Sequence, residues 1–106
     1  MKSWIWPALS LAIVIPCQAA DLPSSSRQAE LQHLVTHDCG SCHGLNMRGG
    51  LGPPLLPAEL SSQSPEYLAA IILHGRPGSA MPPWGDLLTP DEARWIANRL
   101  LEGPDS

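Results

Sequence analysis

Phenylalanine is absent from the 106 residues, tyrosine occurs once, and the single lysine is Lys2. A short chain with so few large side chains builds a thin core, and small domains of that kind need a staple. Disulfides are the usual staple outside the cytoplasm, yet only Cys17, Cys39 and Cys42 are present. A bridge between Cys39 and Cys42 would close a trivial loop and constrain almost nothing. Something else must fill the core. The scarcity of lysine also excludes a lysine ring for docking. Once Lys2 is discounted, ten acidic residues face five arginines, a net charge of −5, which excludes nucleic acid as a partner. Charge steering toward a protein partner would fall to acidic residues or to the few arginines.

The first twenty residues read as a separate unit. Lys2, the apolar run Trp4–Pro16 and the stretch Cys17-Gln18-Ala19-Ala20 form the charged start, apolar core and small-residue end of a secretory signal peptide. The apolar run is too short to span a bilayer, which needs ~20 helical residues. Cleavage is expected after Ala19 or Ala20. Cys17 also suggests a lipoprotein site, but Pro16 directly before it fits that poorly. The division that follows is signal peptide 1–20, flexible lead-in 21–26 and one folded domain 27–106, periplasmic and free of the membrane after cleavage.

Within the domain the pattern is all-α. Leu31, Leu34 and Val35 have helical spacing over about Arg27–Asp38, with Ser25 or Ser26 as cap and Gly40 and Gly44 ending the regularity. Four glycines and three prolines exclude a regular element from most of 44–62. Ser64-Pro65-Glu66 opens a second helix, with Leu68, Ile71 and Ile72 on its apolar face and Gly75 as its stop. A loop stiffened by Pro82 and Pro83 follows. Thr89-Pro90-Asp91-Glu92 is a capping box with proline at the first helical position. Ala93, Ile96, Ala97 and Leu100 make the last stripe, with Trp95 on its flank. No strand alternation or internal repeat interrupts this.

Cys39-Gly40-Ser41-Cys42-His43 matches C-x-x-C-H, the attachment signature of c-type haem. Cysteines three apart lie about one helical turn from each other, so both sulfurs reach two vinyl groups on one porphyrin edge. The next histidine then projects under the ring toward the iron. A haem, large, flat and apolar, would also fill the thin core. The rival readings are poorer in residues. A structural zinc site needs four ligands, for which His33 and His37, four apart, are candidates beside the cysteine pair. A thioredoxin-like redox pair needs a preceding strand.

Two methionines and three histidines are candidates for the second axial position. Met47 lies four residues after His43, too close to wrap to the other face of the ring. Met81 lies in a loop flanked by Gly78 and Pro82-Pro83, which suits a fixed ligand. His74 is the alternative, giving bis-histidine ligation. The His43 ring N–H needs an acceptor, for which the Pro53 carbonyl is the candidate. Arg48, Arg76 and Trp84 are candidate donors to the propionates. A filled sixth position leaves no substrate site, so the protein reads as an electron carrier and not an enzyme.

The arrangement resembles class I cytochromes c, with a helix running into C-x-x-C-H, a Gly-Pro loop, a distal methionine and a C-terminal helix carrying an aromatic. The resemblance covers about residues 27–102. Cys39-Gly-Ser-Cys-His-Gly44, Gly49-Gly-Leu-Gly-Pro-Pro-Leu-Leu-Pro57 and Gly75-Arg-Pro-Gly-Ser-Ala-Met-Pro-Pro-Trp84 narrow it. They resemble cytochrome c-55X, the NirC-type monohaem family of denitrification gene clusters. The resemblance implies a small cytochrome c fold with three main helices around one covalent haem c. It implies Cys39 and Cys42 as attachment points, His43 and Met81 as ligands, and Trp95 packing on the first helix. Many class I members carry a glycine and an aromatic where this chain has Leu31 and Val35, so a different helix contact is expected. The implied partners are redox proteins, notably haem cd1 nitrite reductase, and the cytochrome c maturation system. The competing roles are an accessory in d1-haem maturation and a gas-binding sensor haem.

Overall fold

The computed structural model describes residues 2–15 and 22–103. Residues 2–15 carry no regular secondary structure and are exposed throughout. Cys17 and the cleavage positions Ala19 and Ala20 lie outside the described residues. Among the described residues there is no strand and no helix long and apolar enough to cross a membrane.

Helix α1 spans Ser25–Leu34 and begins earlier than its apolar pattern suggests. Its cap is Ser24, whose hydroxyl accepts from the Arg27 N–H at 3.2 Å, and not Ser25 or Ser26. Those two already have helical geometry, whereas Ser24 has ψ 159°, which aims its side chain at the free N–H groups of the first turn. The helical backbone continues through a π turn, Val35–Cys39, and α2, Gly40–His43. The Gly40 N–H donates to the Val35 carbonyl, five residues back, the bond that defines a π turn. Gly40 therefore does not end the regularity, contrary to expectation. Its φ of −63° is right-handed, and the break comes at Gly44, at φ 93°. Cysteines and histidine thus ride on one continuous helical body.

The loop that follows contains one turn of helix, α3, Pro57–Leu60, in a stretch expected to be mostly irregular. Proline at the first position sets φ for the turn, and burial of Leu60 holds it. Helix α4 spans Pro65–His74, capped by Ser64 and ended by Gly75. It buries Leu68, Ala69 and Ile72, while Ile71 is only half-buried. Helix α5, Pro90–Glu102, has both bonds of the Thr89/Glu92 capping box. It buries Ala93, Ile96 and Ala97, with Leu100 half-buried at the end of the stripe.

Helix α5 packs mainly on α4 and touches α1 and α3. Leu31 of α1 and Ile96 of α5 are the largest fully buried side chains, and both belong to the one core cluster. An ion pair from Arg27 to Glu92, at 2.5 Å, ties α1 to the start of α5. Beside this tie α1 and α5 border an open cleft of about 720 Å³. Gln28, Ala29 and Gln32 line it from one side and Trp95 and Arg99 from the other. Trp95 thus faces α1 across this cleft, with the Arg99 guanidinium 5.8 Å from its ring centroid.

Candidate haem-attachment site

His43 closes α2 and is 9 % exposed. Its Nδ1 lies 2.7 Å from the Pro53 carbonyl oxygen, the acceptor that the sequence points to. With Nδ1–H donating there, Nε2 is the nitrogen left to bind a metal. The loop after α2 is folded back to provide that carbonyl. Gly49 N–H donates to the His43 carbonyl and Gly52 N–H to the Cys42 carbonyl, each at 2.8 Å. Both bonds satisfy carbonyls that a helix end leaves without partners. Gly52 lies against the imidazole so closely that a Cβ there would sit 2.8 Å from Nδ1 and Cε1. A second clamp runs from Leu55 N–H to the Met47 carbonyl at 2.9 Å. Met47 itself is buried in the core, with a left-handed φ of 58°.

Cys39 and Cys42 are both free thiols, three residues apart on the same helical body. Cys42 is exposed and Cys39 half-buried. Burial first, and then the Asp38 charge, push the Cys39 thiol up to about 11. A neutral thiol, or a neutral thioether made from it, suits that position better than a thiolate.

Met81 is half-buried against the core in the loop between α4 and α5. Gly75 fixes that loop. Its φ is 70°, and a Cβ there would lie 2.8 Å from the Met81 carbonyl oxygen and 2.9 Å from the Pro83 nitrogen. On the far side of the prolines, Trp84 N–H donates to the Ile72 carbonyl at 3.0 Å and Gly85 N–H to the Leu73 carbonyl at 3.1 Å. Ser79 accepts from the Met81 N–H and donates to the Arg76 carbonyl. Both ends of the loop are therefore tied to the C-terminal end of α4.

Of the candidate propionate donors, Trp84 is half-buried against the core and Arg48 and Arg76 are exposed, one on each loop. Arg27, Arg94 and Arg99 are committed to Glu30 and Glu92, Glu66 and Glu102 respectively. Arg48 and Arg76 form no ion pair among the described residues. The His33 and His37 rings lie 4.1 Å apart at their centroids, tilted by 43°, but they do not join the cysteine pair. Among the described residues no three His, Cys, Asp or Glu side chains converge to hold a metal ion, which removes the four-ligand zinc reading. His74 is exposed at the end of α4.

The residues present fit a covalently bound haem. Two free thiols at the right spacing, an imidazole held by a backbone carbonyl, and a glycine cradle closed against that imidazole are the parts such a group needs. The supports that sequence reasoning missed are Gly52 and Gly75. Gly52 stood in a glycine-rich stretch that read as loop and Gly75 read only as a helix stop, and nothing in the sequence showed what a Cβ at either would strike.

Residues 26–98 match the family model for "Cytochrome C oxidase, cbb3-type, subunit III". The chain is 53 % identical over 95 residues to cytochrome c55X of Paracoccus denitrificans, covering 90 % of this chain and 92 % of that one. It is 49 % identical over 100 residues to cytochrome c55X of Pseudomonas aeruginosa, covering 94 % and 84 %. The solved structure of the c-type cytochrome NirC superposes with a TM-score of 0.74 at 52 % identity, over 76 % of this chain and 94 % of that one. The chain belongs to the cytochrome c55X family. Cytochrome c55X membership implies haem c as cofactor, and the architecture, helical and without strands among the described residues, is that of a cytochrome c. The chain also matches the dihydro-heme d1 dehydrogenase of Pseudomonas aeruginosa, at 33 % identity over 92 % of its own length but only 18 % of that larger protein.

Proposed function

We propose that this protein carries single electrons in the periplasm, exported by its leader 1–20 and folded over 27–106 around one haem c. The observation that carries the reading is the His43 Nδ1–Pro53 contact at 2.7 Å. It fixes the tautomer and orientation of an imidazole on the helix that bears both thiols. Cys39 and Cys42 hold the porphyrin through thioether bonds, made by the cytochrome c maturation system. His43 and Met81 are the axial ligands, and Arg48, Arg76 and Trp84 are the donors to the propionates. When bound, haem supplies a one-electron couple whose potential is higher with His/Met than with bis-His ligation. The two anchored loops hold both ligands through the redox change, and with both positions filled the chain carries electrons and is not an enzyme. Replacing Met81 by alanine abolishes the near-infrared methionine-to-ferric band and lowers the reduction potential. Survival of the band would exclude Met81 as ligand.

The proposed acceptor is haem cd1 nitrite reductase, in denitrification. A second role, in maturation of d1 haem, is favoured by the likeness to dihydro-heme d1 dehydrogenase. Nitrite turnover by purified reductase, with the reduced protein as sole donor, separates the two. Rapid turnover supports the carrier. Absence of turnover, together with electron exchange with a d1-haem precursor, supports the accessory role. Rapid carbon monoxide binding to the reduced protein would instead indicate a displaceable sixth ligand and a sensor.

A further inference from the structure

The pair His33 and His37 is used by neither the fold nor the haem site. His33 sits in the last turn of α1 and His37 in the π turn that follows. Both are exposed, so their rings are not held together by burial. The rings nonetheless lie 4.1 Å apart at centroids, tilted by 43°. Neutral imidazoles bind divalent transition ions through either nitrogen, and histidines four apart on one helix face are a recurring chelating unit. With metal–nitrogen bonds of about 2.0–2.1 Å, two imidazoles on one ion place their ring centroids roughly 4.5–5 Å apart. The observed separation is within a small side-chain rotation of that.

We infer that His33 and His37 form a surface site for one borderline divalent transition ion, with water completing the coordination. The absence of a third converging His, Cys, Asp or Glu among the described residues makes this an open, exchangeable site and not a structural one. An imidazole pair ranks ions in the Irving–Williams order, so Cu²⁺ binds more tightly than Ni²⁺ or Zn²⁺. Calcium and magnesium, which require oxygen ligands, do not compete. The site lies on the same helical body as Cys39, Cys42 and His43, but it shares no ligand with them and does not depend on the haem reading.

The test uses the mature protein as isolated, titrated with Cu²⁺ and followed by calorimetry and electron paramagnetic resonance. One equivalent should bind with a nitrogen hyperfine pattern. His33→Ala and His37→Ala should each weaken binding at least tenfold, and His74→Ala should leave it unchanged. Unchanged far-ultraviolet circular dichroism and visible absorption show that each variant is folded. Equal binding by the wild type and the His33→Ala, His37→Ala double variant would overturn the assignment and place the copper elsewhere, for example at the terminal amine. Loss of binding in His74→Ala alone would overturn it as well.

Discussion

At the residue scale, two glycines matter because of what stands beside them. The Gly52 backbone lies against the His43 imidazole at a distance that leaves no room for a methyl group. Gly52→Ala must push the ring off the Pro53 carbonyl or move the loop that supplies it. Overpacking of this kind costs about 1–3 kcal/mol. The variant is expected to show a lower denaturation midpoint, measured by circular dichroism, and an altered ferric spectrum. Leu51, next to it, is 95 % exposed, so Leu51→Ala is the neutral control for the same loop. The Cys-x-x-Cys-His run was legible as chemistry because its spacing is local and no fold is needed to see it. The role of Gly52 was not legible, since it depends on a chain reversal that brings residue 52 back onto residue 43.

At the element scale, α4 does more than fill the core, because its C-terminal end is the anchor for the Met81 loop. Gly75 has a left-handed φ of 70°, and a Cβ there would stand 2.8, 3.0 and 2.9 Å from backbone atoms of Met81, Pro82 and Pro83, well inside van der Waals contact. Gly78, in the same loop, has φ 75° but open space around it. Both alanine variants pay the left-handed penalty, about 1–2 kcal/mol, but only Gly75→Ala also displaces the methionine segment. Gly75→Ala is therefore expected to weaken or abolish the near-infrared methionine band, and Gly78→Ala to retain it. Helix ends were largely legible here. Ser64, Gly75, Thr89 and Glu92 act as their residue types indicate, because capping is satisfied within three or four residues. Gly40 misled for the opposite reason. A glycine's cost in a helix, about 1 kcal/mol relative to alanine, is small, and tertiary packing overrides it.

At the scale of the whole molecule, the ion pair from Arg27 to Glu92 joins the first helix to the last. The Arg27 guanidinium, helped by the Thr89 N–H, holds the Glu92 carboxyl below its ordinary value of 4.5. A carboxyl with a lower pKa folded than unfolded contributes stability that is complete above the unfolded value and is lost as pH falls through the folded one. Arg27→Gln should therefore lower the urea midpoint at neutral pH. Its deficit against the wild type should narrow as the pH falls below the ordinary value of 4.5. A constant deficit across that range would show that the arginine acts through packing alone.

The amino-acid sequence by itself determined the all-helical class, the attachment motif, the choice of Met81 over Met47 as the candidate ligand, and the family. The first three rest on local spacing, capping or loop composition, and the family on the resemblance of segments 39–44, 49–57 and 75–84; all are short-range properties of the chain. Only the tertiary structure decided how the helical body that carries Cys39, Cys42 and His43 runs unbroken through Gly40 by way of a π turn, and how the two loops lock against helix ends. It also showed that Leu31 and Ile96 are fully buried in one core, while Trp95 packs on that core and lines an open cleft beside α1. These features depend on segments distant in sequence excluding one another's atoms, as the loop glycines do at Cys42, His43 and Met81. That is also what turns a bare Cys-x-x-Cys-His motif into a rigid support for the His43 imidazole.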